Sequence, residues 1–406
     1  MSALNKEFPS FGLRALVVLC ALAVVSLLYL PLPVLQVLEH KYGVGATGMI
    51  SAFGFTYAAG FLVFGPLSDR LGRRKVMVGG LLALTVITAL LAIAETQYQL
   101  VIGRLLQGLV AASFPPVAIA YLAERGTTRQ RAWSIAWMST AFLSAGLLGQ
   151  IYGGLVTLRW GIGAAFLPLS GIYALTAWLL WRAPKDKPVP LDLPIVQPKK
   201  GLLLPLLSLL LCLLVDPALR RVYVPAFFLL LCFVAFYMGL DMRFTAELAH
   251  HDISPLMLRA LAAPAFLMPL AVAVLIPRVG ADRVISTGLI CATTGLALVA
   301  LIGSNPISAL LVASLLFVAG IGISVPGLII RVSHVSHASV RGMAVGLYTF
   351  VLWIGASLGP WLALHTAHLS LQNMHFLLAG LLGACALYSI TGLTRHSAAI
   401  DSSSRL

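Results

Sequence analysis

The chain alternates long apolar runs with short polar interruptions over its 406 residues. The runs fall at 13–38, 47–67, 76–94, 98–122, 132–156, 160–181, 222–246, 254–276, 284–303, 307–330, 342–364 and 371–394. Each is close to the ~20 residues that a helix needs to cross ~30 Å of hydrocarbon. The pattern predicts an all-α membrane protein with twelve transmembrane helices. A further run, Gly201–Val215, is interrupted by Pro205. At ~1.5 Å rise per residue it reaches only ~23 Å, so it is expected to be interfacial or re-entrant on the cytoplasmic face. The first run lacks a small-residue cleavage site and leads into further membrane segments, so it is expected to be a retained helix.

Composition agrees with the lipid bilayer as solvent. With 60% hydrophobic and 10% charged residues, a soluble surface of this size could not be covered. The net charge of +14 does not point to nucleic acid, because the bases recur at the ends of apolar runs instead of gathering on one face among stacking aromatics. Arg14, Arg70 to Lys75, Arg125 to Arg131, the 182–221 segment, Arg278, Arg283, Arg331, Arg341 and Arg395 collect on one side. The other side receives Lys41, Arg159 and Arg243, so both termini are expected in the cytoplasm. The five cysteines are odd in number and lie within apolar runs, which suits small core residues.

The halves resemble each other. An offset of about 210 places Leu105-Leu106 on Leu315-Leu316, Pro116 on Pro326, Arg131 on Arg341 and Gly149 on Gly359. An offset of 208 places Arg70-Leu71-Gly72 on Arg278-Val279-Gly280. The expected organisation is a six-helix bundle over 1–183, a proline-rich cytoplasmic linker with a short interfacial helix over 184–221, and a second bundle over 222–406. Two pseudo-symmetric bundles with a site near the midplane suit alternating access.

Between the second and third runs lies Gly65-Pro66-Leu67-Ser68-Asp69-Arg70-Leu71-Gly72-Arg73-Arg74-Lys75. It resembles the signature loop of the major facilitator superfamily, G-x-L-(A/S)-D-R-x-G-R-R between helices 2 and 3. The resemblance implies the major facilitator fold and gives Gly65, Asp69, Arg70, Gly72, Arg73 and Arg74 a gating role. Asp69 and Arg70 would latch the cytoplasmic side in the outward-open state. Arg104-Leu105-Leu106-Gln107-Gly108 is similar to the helix-4 motif R-x-x-Q-G of drug/proton antiporters, where the Arg is associated with proton coupling. A guanidinium at membrane depth is costly and must face a cavity or a partner, or else snorkel to the headgroups. Residues 145–154 resemble the antiporter motif G-x-x-x-G-P-x-x-G-G, with Ala145 and Gln150 replacing its first Gly and its Pro. Gly149, Gly153 and Gly154 there are expected to permit close helix approach and conformational change.

Candidate proton-coupling residues are Arg104, Asp241, Glu39 and Arg259. Asp241 sits near the end of a span with Arg243 and Glu247 beyond it, and Glu39 is placed to reach Arg104 from the outer end of helix 1. The expected substrate cavity is lined by Tyr29, Gln36, Arg104, Gln107, Tyr237, Asp241, Tyr348 and Trp353; Tyr29 precedes Pro31 and Pro33, which open backbone carbonyls. Histidine spacing gives no metal-ligand pattern, and no cofactor is expected. No nucleotide-binding G-x-x-x-x-G-K-(S/T) occurs, and no nucleophile–base set, so the chain is not expected to be an enzyme. The leading expectation is a monomeric, proton-coupled multidrug efflux transporter of the bacterial inner membrane, with small amphipathic molecules and protons as its partners. The rivals are an exporter of a specific anionic metabolite, such as a carboxylate siderophore or sugar acid, and a non-transporting membrane sensor or scaffold.

Overall fold

The computed structural model describes residues 9–43, 45, 48–183, 203–249, 257, 260–302 and 307–403, without the side chains of 36, 203–207, 241, 243–249, 307 and 392–403. Among the described residues every regular element is helical. Eleven of the described helices are long and apolar enough to cross a membrane, and Ala263–Val279 is a shorter apolar stretch where the run at 254–276 predicts a span. The chain divides into two compact units, Met1–Leu213 with Ser336–Phe350, and Leu214–Val335 with Val351–Leu406.

In the first unit, α1 (Phe11–Tyr29) gives way to a 3-10 turn at Leu32–Val34 and then α2 (Leu35–Tyr42). Pro31 and Pro33 cause the change, since neither has an N–H for the helical ladder. The helices α3 (Gly48–Leu71) and α4 (Arg73–Leu91) are separated by Gly72 alone, at φ 92° and ψ 140°. A Cβ disfavours that backbone, so glycine makes the one-residue turn. The next span is broken into α5 (Gln97–Ala111) and α6 (Pro115–Ala123) by Pro115 and Pro116. Capping boxes at Thr96/Gln99 and Thr127/Gln130 start α5 and α7 (Thr128–Trp160), followed by α8 (Ile162–Arg182). Three helix pairs dominate the packing: α1 with α7, α3 with α5, and α4 with α8.

The short helix α9 (Leu203–Val215) has 13 residues, about 20 Å of rise, below the thickness of a bilayer core. The second unit comprises α10 (Pro217–Ala249), α11 (Met268–Val279), α12 (Ala281–Ile302) and α13 (Ile307–Val335), then most of α14 (Arg341–His365), and α15 (Leu371–Ser403). The pairs α11 with α13 and α12 with α15 reproduce α3 with α5 and α4 with α8. Gly280 joins α11 to α12 at φ 86°, ψ 157°, the counterpart of Gly72. The charges at this corner are exchanged. In the first unit Arg73 at the start of α4 pairs with Glu124; in the second, Asp282 at the start of α12 pairs with Arg331 at 2.6 Å.

Candidate functional site

The signature loop forms a buried ion network. Asp69, in the last turn of α3, has a side chain only 7% exposed. One carboxylate oxygen accepts the Gly342 N–H at 2.9 Å and the other accepts the Met343 N–H at 2.8 Å. These N–H groups lie in the first turn of α14, where an anion both satisfies orphan donors and meets the positive end of the helix dipole. Arg73 Nη2 lies 2.5 Å from Asp69 and 3.0 Å from Glu124, while its Nη1 donates to Ser68 Oγ at 2.6 Å. Arg341 reaches Glu124 at 3.6 Å. The cluster therefore sets two carboxylates against two guanidiniums, with Asp69 and Arg73 largely withdrawn from water. Close backbone approach makes it possible: a methyl group on Gly65 would lie 2.6 Å from the Gly342 carbonyl oxygen, and one on Gly346 would lie 2.6 Å from that of Phe61.

The loop residues fall into distinct places. Arg73, four positions after Asp69, holds the acid, whereas Arg70 is exposed. Arg74 donates from Nε to the Leu180 carbonyl at 2.6 Å and from Nη2 to that of Trp181, closing the C-terminal end of α8. Glu124 and Arg341 were not among the expected site residues. The signal for Glu124 was an acid just after an apolar run, immediately before Arg125, among the bases of that side.

Arg104 lies seven residues into α5, about 10 Å along the axis, and is 0% exposed. It does not snorkel. Nη1 donates to Gln107 Oε1 at 2.7 Å and Nη2 to the Leu27 carbonyl at 2.9 Å, and the guanidinium lies 4.1 Å from the centre of the Phe53 ring. Gln107 Nε2 donates to Thr88 Oγ1 at 2.8 Å, fixing the amide so that its oxygen faces the arginine. Nε of Arg104 is buried without a hydrogen-bond acceptor, and among the described residues no carboxylate is paired with it. Glu39 sits on α2 without joining this set. Carbonyl dipoles and a ring face are thus the stabilisation of a cation in low dielectric.

The glycines of α7 meet α1. A methyl on Gly149 would lie 2.9 Å from the Ser26 carbonyl oxygen, one on Gly153 would overlap the Leu30 carbonyl, and Gly154 faces Pro33. The Tyr29 ring lies over Gly146. In the second unit, Tyr237 packs edge-on to Phe233 and Phe236, and Trp353 is half-buried on α14. Tyr348 is 2% exposed, in the part of α14 that belongs to the first unit. The side chains of Gln36, Asp241, Arg243 and Glu247, and Arg259 as a whole, lie outside the described residues.

This arrangement of helices defines a polytopic membrane protein with the major facilitator fold. Solved structures of that fold superpose over nearly all of the chain. The human organic anion transporter MFSD10 (TETRAN) matches at a TM-score of 0.74 and 19% identity, covering 93% of this chain and 98% of that one. The proton:xylose symporter XylE matches at 0.74 and 15%, covering 94% and 95%. The chain belongs to the Major Facilitator Superfamily, whose family model matches residues 15–360. That family and fold are those of transporters and not of enzymes. Among similar sequences, the inner membrane transport protein YajR of Escherichia coli (strain K12) is 28% identical over 166 residues, 38% of this chain and 35% of that protein. The multidrug resistance protein MdtG of Proteus mirabilis (strain HI4320) is 30% identical over 147 residues, 36% of each. The matched stretch spans about a third of the length of these curated relatives.

Proposed function

We propose that the protein is a secondary active transporter that exports small amphipathic compounds by alternating access, coupled to proton entry. The observation that carries the reading is the Asp69 carboxylate bound to the first turn of α14. A carboxylate on one helix holding the free N–H groups of another is a contact that is either made or broken, which suits a two-state gate. In this reading the bundles 1–183 and 222–406 move against each other about the 184–221 linker. Asp69, Arg73 and Glu124 close the cytoplasmic side, with Gly65 and Gly72 allowing the approach. Arg104, held near Gln107, responds to protonation of an acid, with Asp241, Glu39 and Arg259 as the candidate participants. The transporter works as a monomer in a bacterial inner membrane, its termini in the cytoplasm. The names of MdtG, a multidrug resistance protein, and YajR, an inner membrane transport protein, support this choice.

A second reading, export of a carboxylate-bearing metabolite, is favoured by the buried Arg104 without a paired carboxylate among the described residues, and by the resemblance in fold to a protein named an organic anion transporter. Proteoliposomes under an imposed pH gradient separate the two. Proton-driven efflux of a lipophilic cation supports the first reading, and efflux of a carboxylate alone supports the second. Flux of neither removes both.

A further inference from the structure

Phe53, Tyr57, Phe61, Gly65 and Asp69 recur every four residues along α3, so they share one side of that helix over about 24 Å. At one end the Phe53 ring lies 4.1 Å from the Arg104 guanidinium; at the other, Asp69 holds the Gly342 and Met343 N–H groups. Between the ends the rings form a buried column, with Phe53 and Tyr57 centroids 5.3 Å apart and those of Tyr57 and Phe61 4.5 Å apart. Beyond the column the backbone at Phe61 and Gly65 meets Gly346 and Gly342 of α14. A single helix thus touches both the membrane-depth cation and the cytoplasmic contact.

Arg104 itself belongs to α5, and α5 is clamped to α3. Thr56 Oγ1 lies 2.7 Å from the carbonyl oxygen of Leu105, the residue after Arg104, and 2.9 and 3.3 Å from the carbonyls of Ala52 and Phe53 on its own helix. A hydroxyl has one hydrogen to donate, and the shortest of these contacts makes Thr56 an interhelical donor. Two glycines bring the backbones together on either side of it. A methyl group on Gly108 would overlap the Phe53 carbonyl, and one on Gly60 would lie 2.8 Å from the Leu109 carbonyl oxygen and 2.6 Å from Ala112 Cβ. Helices packed this closely cannot slide past each other without repacking. The repeat lacks the far end of this arrangement: at the offset of 208, Pro277 stands where Asp69 stands, so α11 ends without a carboxylate.

We propose that Thr56 is a positioning residue that couples Arg104 to the cytoplasmic gate. By fastening α3 to α5 beside Arg104 it makes the two helices one lever, and a displacement of the guanidinium is delivered at Asp69 as release of the first turn of α14. The proposal deepens the gate reading above and rests on it. Arg104 also ties the pair to α1 through the Leu27 carbonyl, so loosening the guanidinium frees the lever and opens the Asp69 contact more often.

The test is a double-mutant cycle on the full-length chain in proteoliposomes. Met343→Cys, labelled with a membrane-permeant thiol reagent and read by peptide mass spectrometry, reports the gate, and Asp69→Asn is the control for the reporter. Arg104→Gln is expected to speed labelling at least about threefold when Thr56 is present and by less than about 1.5-fold in the Thr56→Val background. Thr56→Ser, which keeps the hydroxyl, should restore the threefold response. An Arg104→Gln response of the same size with and without the hydroxyl overturns the proposal, whatever Thr56→Val does to the thermal midpoint, because a purely structural role moves only the midpoint. No response to Arg104→Gln in the wild-type background overturns it too, and leaves the gate standing if Asp69→Asn speeds labelling. No response to Asp69→Asn removes the gate and the proposal together. Should Thr56→Val fail to fold, Gly60→Ala, which wedges the same crossing apart one turn further along, takes its place with the same expected loss of response and the same refuting result.

Discussion

Asp69→Asn tests the gate most directly, because the volume of the side chain is kept and its charge is removed. The wild-type carboxylate accepts Gly342 N–H at 2.9 Å and Met343 N–H at 2.8 Å and pairs with Arg73 at 2.5 Å. Asparagine offers one oxygen, and its NH2 group must then face either a helix N–H or the guanidinium, so a buried donor goes unpaired. That costs about 1–3 kcal/mol, and the surviving bond falls from charge-assisted to neutral strength, worth about another 1 kcal/mol. At 7% side-chain exposure, water does little to soften the loss. Arg73 keeps Glu124 at 3.0 Å, so the guanidinium is not stranded and the protein should still fold. The sum, about 2–4 kcal/mol against the closed contact, is about thirtyfold or more in its equilibrium. The assay is proton-driven efflux in proteoliposomes at matched protein content. Thiol labelling of Met343→Cys, a buried position where the new side chain is smaller than the one it replaces, reports whether the contact has opened. The expected result is at least tenfold lower flux with faster labelling. Unchanged flux and labelling would refute the gate.

Other outcomes follow from the same contacts. Arg104→Gln removes a buried charge that, among the described residues, is held by Gln107, the Leu27 carbonyl and Phe53, so proton-driven flux should fall at least about tenfold while the thermal midpoint in detergent holds or rises. A lower midpoint with normal flux would assign Arg104 a packing role. Glu124→Gln leaves Arg73 and Arg341 facing each other with one carboxylate between them, and should lower the thermal midpoint by the equivalent of about 3 kcal/mol. Gly153→Ala drives a methyl into the Leu30 carbonyl and separates α7 from α1, at a cost of about 1–3 kcal/mol. The same change at Gly171, which has open space, should leave the detergent melting point where it was.

Local rules made much of this protein legible in one dimension. Hydropathy and run length mark the spans because each must be apolar over about the same thickness. Thr96/Gln99 and Thr127/Gln130 announce their own helix starts, since a capping box needs only four consecutive residues. Gly72 and Gly280 mark the turns that no Cβ tolerates. The depth of Arg104 along its helix was readable too, and with it the need for compensation.

What compensates Arg104 was decided by packing, because Leu27, Phe53 and Thr88 come from three other helices and no spacing in the sequence links them. The choice of Arg73 over the adjacent Arg70 as the partner of Asp69 also belongs to the tertiary structure: the Gly72 turn carries Arg73 back beside the acid while Arg70 points to solvent. Asp69 meets Gly342 across 273 residues of chain, and Glu124 and Arg341 join them there. A charge can be read from a letter, but its partner is set by where the folded helices bring low dielectric and free N–H groups together.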